Sequence, residues 1–448
     1  MMQTFIDLGS PFIWAFALGS FLHACWSRWL QWRDQDYCLK VEDEAHDIVA
    51  SMHPEAGKLL SEDCLKKSLS YERTYSALRD LQKTVYSVTW RIMLVFGVAP
   101  LVMQSLVFKL ELPFWMSACI AAIGLFAFEC IVSLPFAWHQ MFSIEERFGF
   151  CNATKKLFWT DEVKSFSIGI AVIVLKVAAT VFALQGVHAF YGKIDWKACL
   201  CLAALSSFAE MLFEIVQLEV IMPMFNKLKP MEESPLKERM LKLVKMNGFS
   251  PEGVFVIDES KRSKHSNAFC AGWGKSKKLV IDDTMLKTMS EDEILFIIGH
   301  ELAHAKLHHL AVSRIASLSE TFAFLLVSSF FIYDLDLLHA FGFRFANDAI
   351  AWSAIGFWMF KQVYSSFSWL LDGAFSWMSR KMEFAADRNS VKMLASIEGK
   401  DFTDIASSSL VRLYSDNLSW PLADPLYEAW NFGHPGFINR IKALKKIA

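Results

Sequence analysis

Several features that are common in other classes of protein are missing from this sequence. Its nine cysteines are odd in number and include no CxxC pair, which argues against a disulfide framework or a cysteine-ligated metal site. The formal net charge is only −2, so charge does not indicate nucleic acid as a partner. The first basic residue is Arg28, and the first apolar run therefore lacks the positively charged start of a removable signal peptide.

Long apolar runs, by contrast, are abundant. Hydrophobic residues make up 54% of the chain, against about 45–50% in ordinary soluble domains. The excess is concentrated in runs of roughly 20 residues, the length that crosses a bilayer. We therefore predict seven transmembrane helices, at residues 11–30, 91–110, 112–138, 166–191, 198–222, 318–333 and 349–371. The sixth run is the weakest and could start nearer residue 312.

The connections between these runs alternate in basic charge. Those after the first, third, fifth and seventh runs are rich in Lys and Arg, and the others carry few. Because basic connections stay in the cytosol, we expect a lumenal or external N-terminus and a cytosolic C-terminus. The chain then divides into residues 1–222 with five spans and their loops, a cytosolic insertion at 223–317, two spans at 318–371 and a cytosolic C-terminal part at 372–448.

Charged residues also occur within the predicted spans. Charges at membrane depth are costly and usually face a partner or a watery cavity, so their number favours a water-filled chamber enclosed by the helices. The alternative is that those near span ends extend to the membrane surface, which would account for Glu219 and Lys361. The charges concerned are Glu129, Lys176, Glu210, Glu214, Glu219, Glu320 and Lys361.

The insertion at 223–317 has an α+β pattern and carries the motif HExxH. Two short β-branched strands, "GVFVIDE" and "KKLVIDD", follow an amphipathic helix. Ser290 and Glu293 predict a capping box, and the helix that begins there continues through "GHELAH". Residues four apart share a helix face, so His300 and His304 can bind one zinc ion, with Glu301 beside them to act on a water molecule. The motif also occurs by chance in unrelated chains.

A catalytic zinc site needs a third protein ligand. The stretch "SWMSRKMEFAADRNSVKML" is helical in pattern and places Glu383 and Asp387 four residues apart. Glu383 can be the third ligand, and Asp387 can accept the free ring N–H of a ligating histidine. The alternative is a solvated helix with alternating charges, which the two small alanines between the acids disfavour. His308 and His309 are expected at a helix surface or in a cavity rather than as ligands.

At these residues the chain resembles the type I CAAX prenyl endopeptidases, a family of seven-span membrane zinc metalloproteases. The similarity extends over ordered blocks from about Met141 to Ile441. Such an ordered set is far more specific than HExxH alone. The blocks are "FSIEERFGF", "FWTDEVKSF", "IMPMFNKLKPM", "KRSKHSNAF", "LVIDDTML", "GHELAH", "SRKMEFAAD" and "HPGFINRI".

The resemblance implies a role for each matching residue. Glu301 would be the general base and then the general acid, and Asp387 would support a ligand. The resemblance further implies that Asn267 holds the substrate backbone beside an edge strand, that His434 stabilises the oxyanion and that Arg440 lies near the zinc. Taken from sequence alone, Asn267 and His434 would be turn residues. The implied zinc ligands are His300, His304 and Glu383.

The same resemblance implies the fold and the reaction. The fold is an α-helical membrane protein with seven transmembrane helices around a water-filled chamber and a cytosolic α+β zinc-metalloprotease domain. The expected reaction removes the last three residues after the prenylated cysteine of a C-a-a-X protein, so the expected partners are prenylated C-termini and membrane lipid. The terminal "KKIA" is typical of a dilysine signal for retrieval to the endoplasmic reticulum, although a basic helix end has the same pattern.

Three other hypotheses remain open from sequence. An intramembrane protease would use Asp372 of "LLDGAF" as the third ligand, but the acidic "SEDE" before the motif indicates that the helix begins in water. A quality-control protease for unprenylated clients would use the same residues as the prenyl endopeptidase. A receptor or transporter with a chance HExxH would not need an α+β insertion of this length.

Overall fold

The structure is a computed structural model of the chain, and it describes residues 6–192, 194–247, 253–271, 278–346 and 352–447. In those ranges the chain forms twenty α-helices and one four-stranded sheet. Three π-helical turns, at Ser105–Lys109, Gln140–Glu145 and Gln217–Ile221, extend helices of the N-terminal half. Two 3₁₀ turns lie at Glu259–Lys261 and Trp369–Leu371.

Ten helices precede the sheet, and most of the long ones are apolar. Polar caps mark where several begin: Thr154 Oγ1 accepts a hydrogen bond from Leu157 N at 3.1 Å, and Asp195 Oδ1 accepts one from Ala198 N at 2.9 Å. The ten are α1 (Pro11–Val41), α2 (Ala45–Met52), α3 (Pro54–Leu59), α4 (Glu62–Val95), α5 (Val98–Gln104), α6 (Phe114–His139), α7 (Glu146–Phe148), α8 (Lys155–Tyr191), α9 (Trp196–Val216) and α10 (Met222–Phe225).

The sheet is small and mixed. Its strands are β1 (Leu228–Pro230), β2 (Val254–Ile257), β3 (Ala268–Ala271) and β4 (Lys278–Asp282), in the order β1-β2-β4-β3. Strands β2 and β4 are parallel, and the other two pairs are antiparallel. The two predicted strands are β2 and β4, whose branched residues are largely buried. Within the described residues β3 lies at one edge of the sheet.

Ten further helices build the rest of the chain. Those around α13 form the main core, in which Phe296, Phe402 and Phe437 are almost completely buried. They are α11 (Pro235–Met246), α12 (Met285–Thr288), α13 (Glu291–Lys306), α14 (His309–Ser328), α15 (Leu335–Ala340), α16 (Ser353–Ser368), α17 (Asp372–Glu398), α18 (Thr403–Asp416), α19 (Pro425–Asn431) and α20 (Phe437–Lys445).

Four helical segments in the described part of the chain are long and apolar enough to cross a membrane. They are Phe114–Phe148, Lys155–Phe190, Trp196–Phe225 and His309–Ser328, and they overlap the third to sixth predicted spans. The second predicted span is bent by 51° between Glu62–Val95 and Val98–Lys109, and it adds a fifth crossing if the pair is one span. The bend follows from Gly97, whose positive φ of 60° suits glycine. The chain is thus a multi-pass helical membrane protein.

The first and seventh predicted spans do not meet the same criteria. The first lies within α1, and the described part of the seventh corresponds to α16 and the 3₁₀ turn after it. Helix α16 has 16 residues, which is shorter than the roughly 20 that a span needs. The described residues therefore support four or five crossings, and the count of seven remains a prediction.

Two of the charges predicted at membrane depth have ionic partners. Glu214 of α9 pairs with Arg314 of α14. Glu219, in the π-helical turn after α9, lies 2.7 Å from Lys278 Nζ at the start of β4. The second contact ties the end of a span to the sheet, so the position of Glu219 reflects more than extension to the membrane surface.

Candidate metal centre

Helix α13 presents the two motif histidines from a rigid element. Ser290 accepts a hydrogen bond from Glu293 N while the Glu293 carboxylate accepts one from Ser290 N, which is the predicted capping box. Ten residues of this helix are buried, so its orientation is fixed by packing on every side. His300 and His304 lie one turn apart near its C-terminal end.

Helix α17 brings the acidic residues to α13 at a very close approach. A Cβ atom on Gly299 would collide with the Ser390 hydroxyl, and Ser390 Oγ donates a hydrogen bond of 2.8 Å to Phe296 O. Ala386, between the two acids, is fully buried. Small residues on both helices therefore permit the contact, and Glu383 reaches the histidines.

Three side chains converge on one point. Ligand atoms of His300, His304 and Glu383 all lie within 4.8 Å of one another. His300 Nε2 is 3.0 Å from His304 Nε2, and each of these nitrogens is 3.3 Å from a Glu383 carboxylate oxygen. Asp372, eleven residues before Glu383 and about 16 Å along the helix, is not part of the group. The geometry thus disfavours the intramembrane hypothesis.

The partners of the other ring nitrogens leave both Nε2 atoms available. Asp387 Oδ1 is 2.9 Å from His300 Nδ1, so that nitrogen carries the proton. His304 Nδ1 is 2.9 Å from Nδ1 of His309, which is 8% exposed. Such outer partners fix the tautomer of a metal-ligating histidine and raise its basicity.

The charges around His300, His304 and Glu383 favour a cation at this point. Burial would raise the pKa of the Glu383 carboxyl, but the imidazoles of His300, His304 and His434 hold it far below its usual range. Burial would lower the pKa of His300, but Asp387 and Glu383 raise it to about 9. The two carboxylates therefore favour positive charge at this point, and a metal ion would supply it.

One buried oxygen supports a metal fit in particular. Glu383 Oε2 is buried, and although His300 Nε2 and His434 Nδ1 lie 3.3 and 2.8 Å away, no hydrogen bond with acceptable angles reaches it from the described residues. Buried polar atoms are nearly always satisfied. Two imidazole nitrogens and a carboxylate oxygen are the donor set of catalytic zinc sites, so the residues present fit that metal.

The remaining predicted site residues lie around this group. Glu301 follows His300 on α13, is partly exposed and makes no side-chain hydrogen bond to a described residue. His434 is 75% exposed, with Nδ1 at 2.8 Å from Glu383 Oε2. Arg440 Nε and Nη2 donate to Asp387 at 2.9 and 2.6 Å. Burial alone would raise the pKa of Asp387, but Arg440 and His300 hold it well below its usual range.

Asn267 lies immediately before the edge strand β3. It is exposed, and its Oδ1 accepts a hydrogen bond of 2.9 Å from Ala268 N. Its backbone oxygen accepts another from Asp282 N at 3.0 Å. Asn267 therefore lies at the start of an edge strand, and its contact with substrate remains a prediction from the resemblance.

Sequence reasoning missed a polar junction that anchors this edge. His265, two residues before Asn267, places Nδ1 2.9 Å from Asn417 Oδ1 and Nε2 3.3 Å from Glu145 Oε2. Glu145 Oε1 also accepts a hydrogen bond of 2.7 Å from the Tyr71 hydroxyl. Glu145 and His265 belong to two of the matching blocks, so their presence there was the available signal. The junction ties α4 and the π-helical turn after α6 to the segment that leads into β3.

Comparison with known proteins agrees with this architecture. A family model described as "CAAX prenyl protease N-terminal, five membrane helices" matches residues 47–227, and one described as "Peptidase family M48" matches residues 230–448. The fold is that of a membrane-embedded protease, and the His-His-Glu group could hold a metal ion. The chain belongs to peptidase family M48, among the CAAX prenyl proteases, and the resemblance inferred from its motifs is confirmed.

Individual relatives cover most of the chain. A CAAX prenyl protease 1 homolog of Arabidopsis thaliana is 31% identical over 324 residues, 72% of each chain. The CAAX prenyl protease 1 homolog of Homo sapiens is 25% identical over 476 residues, 94% of each chain. The crystal structure of S. mikatae Ste24p has a TM-score of 0.79 and 24% identity, and covers 97% of this chain and 99% of that one, so the two share a fold.

Proposed function

We propose that this protein is a membrane zinc metalloendopeptidase that removes the C-terminal tripeptide after the prenylated cysteine of CAAX proteins. The observation that carries the proposal is the convergence of His300, His304 and Glu383 in a multi-pass protein whose relatives are CAAX prenyl proteases. His300, His304 and Glu383 would hold one zinc ion. When bound, zinc acidifies water toward a pKa of about 7 and polarises a carbonyl.

Glu301 is the proposed general base. Its carboxylate has no hydrogen-bond partner among the described residues, and it is partly exposed next to His300 on α13. It takes a proton from the attacking water and returns it to the departing amine, as a positioned carboxylate does in general acid–base catalysis. This assignment requires that its removal abolish turnover without removing the metal.

The substrate backbone is proposed to pair with β3. An extended peptide can add to the edge of a sheet through main-chain hydrogen bonds, and β3 is the edge strand that packs beside α13. Asn267 would hold the peptide at the start of this edge. His434, which is largely exposed beside Glu383, would donate to the developing oxyanion.

Arg440 and Asp387 are proposed to act through the ligands. Arg440 Nε and Nη2 donate to Asp387, and Asp387 accepts from His300. Arg440 therefore positions His300 through Asp387 rather than contacting substrate. The arrangement extends the usual carboxylate–histidine support of a metal site by one cation.

The finer topology is part of the proposal. Seven helices would enclose a water-filled chamber that admits both a prenyl chain and water, with a lumenal N-terminus and a cytosolic catalytic part, in the endoplasmic reticulum membrane. The paired charges Glu214–Arg314 and Glu219–Lys278 support a polar interior. The alternating loop charge supports the orientation, and the terminal "KKIA" supports the location.

The test compares wild-type protein with Glu301→Gln on a farnesylated CAAX peptide and its unprenylated twin. We expect one zinc per chain in both proteins, and tripeptide release only by wild type and only from the farnesylated peptide. Equal cleavage of both peptides would instead favour a quality-control protease. A folded protein with neither zinc nor cleavage would contradict the assignment.

A further inference from the structure

A groove on the outer side of α17 has no role in the proposed reaction. It lies between α17 and α20, beside the end of α19, and has a volume of about 940 Å³. Six of the residues that line it are cationic: Arg380, Lys381, Arg388, Lys392, Lys442 and Lys446. One carboxylate, Glu428, lies in the wall, and its Oε1 already accepts hydrogen bonds of 2.8 Å from Gly436 N and Asn439 Nδ2.

The cations of this basic groove are largely unpaired. All but Arg380 are exposed, and none of these five makes a salt bridge with a described residue. Elsewhere exposed lysines do find acids, as Lys287 does with Asp283 at 3.1 Å. Arg380 differs because its Nη1 donates to the backbone oxygens of Glu428 and Phe432 at 3.2 and 2.9 Å, and it forms the floor.

The spacing of these cations works against helix stability. Arg388 and Lys392 are four residues apart on α17, and Lys442 and Lys446 are four apart at the end of α20. Like charges at this spacing destabilise a helix slightly. The repulsion would be relieved by an anion in the groove, because no described carboxylate forms a salt bridge with these four cations.

The groove continues into an apolar surface at the start of α17. Trp377 is 55% exposed, and Lys381 Nζ lies 4.1 Å from the centroid of its ring. Leu370 and Leu371, which end the last predicted span, are 54% and 41% exposed. Tryptophan is enriched where membrane meets water. A ligand that fits both surfaces has an apolar part next to Trp377 and an anionic part among the lysines.

We propose that the basic groove binds the phosphorylated headgroup of an anionic phospholipid, with the acyl chains beside Trp377. Clusters of four to eight Lys and Arg directly after a membrane helix are typical of such binding. With the C-terminal part in the cytosol, the lipid belongs to the cytosolic leaflet. The site is separate from His300, His304 and Glu383, and the proposal does not depend on the protease activity.

The experiment uses full-length protein in nanodiscs of phosphatidylcholine with and without phosphatidylinositol 4-phosphate, followed by native mass spectrometry of retained lipid. The variant carries Arg388→Gln, Lys392→Gln and Lys442→Gln. Its control removes three exposed, unpaired lysines elsewhere: Lys58→Gln, Lys67→Gln and Lys242→Gln. We expect roughly a hundredfold weaker retention in the groove variant, because each basic residue near an anionic surface contributes about fivefold, and near wild-type retention in the control.

The outcomes separate the occupants of the groove. Equal retention by the groove variant and wild type would overturn the site. Complete displacement of lipid by inorganic phosphate would show a general anion site and overturn the lipid assignment, as would binding of polyglutamate without any lipid preference, which would indicate an acidic protein. Zinc content equal to wild type verifies that each variant is folded.

Discussion

Asp387 and Arg440 form a two-pronged ion pair immediately behind the metal group. Arg440 Nε and Nη2 lie 2.9 and 2.6 Å from the two oxygens of Asp387, and the same carboxylate accepts from His300 Nδ1 at 2.9 Å. The chain Arg440–Asp387–His300 is buried at its centre, where Asp387 is 1% exposed. Arg440 offsets the desolvation of the carboxylate, and Asp387 in turn orients the imidazole.

The first prediction concerns this chain of contacts. Asp387→Asn removes the charge that holds the His300 tautomer, so zinc affinity should fall about 10- to 100-fold. Arg440→Lys keeps a cation but cannot form the two-pronged pair, and it should give a smaller loss. Competition with a zinc chelator measures both. Unchanged zinc affinity in Asp387→Asn would mean that Asp387 does not support the ligand.

The second prediction concerns His309, whose Nδ1 faces that of His304 at 2.9 Å. His309→Leu fills the buried position with an apolar side chain and removes the hydrogen-bond partner of His304. Zinc affinity should therefore again fall about tenfold or more. His309→Gln retains a hydrogen-bonding group and should recover part of it. The exposed neighbour provides the control: His308→Asn, at a φ of 56° that asparagine tolerates, should bind zinc like wild type.

The sequence predicts those parts of the site that local helix geometry fixes. His300, His304 and Glu301 were predictable because helical spacing fixes their relative positions, and Asp387 followed from Glu383 in the same way. The role of His309 was not, because it follows a left-handed residue, His308, whose conformation the letters "LHH" do not indicate. The meeting of α13 with α17 depends on packing between distant segments, and only the small alanines hinted at it.

The fold, too, was predictable in some parts and not in others. Apolar length predicted most of the membrane helices, but the 51° bend at Gly97 depends on one backbone conformation. The partners of Glu219 and Glu145 also escaped prediction, because Lys278 and His265 lie far away in sequence. Charge at membrane depth indicated that partners exist, and only the folded structure identifies them.

The third prediction tests the close approach of α13 and α17. Gly299→Ala places a Cβ against the Ser390 hydroxyl, so Ser390 must rotate away from its hydrogen bond to Phe296 O or α17 must shift. Overpacking of this kind costs about 1–3 kcal/mol. Both the thermal midpoint and zinc affinity should fall, because Glu383 moves with α17. The double variant with Ser390→Ala removes the colliding oxygen and should recover most of both. A single variant with wild-type stability and zinc affinity would contradict the steric argument.

The last prediction concerns the pH dependence of the junction at His265. Burial alone would lower the pKa of His265, but Glu145 and Asn417 raise it above its ordinary value. Since the folded-state pKa is above the unfolded one, the stabilisation is fully present below the unfolded pKa and is lost as pH rises through the folded value. Wild type should therefore lose thermal stability relative to His265→Gln as the pH rises from weakly acidic toward alkaline. A constant difference between the two proteins across that range would mean that His265 is neutral in the fold and contacts Glu145 without forming an ion pair.

Because His265 lies two residues before Asn267, the same pH range should weaken peptide binding in wild type while leaving zinc content unchanged.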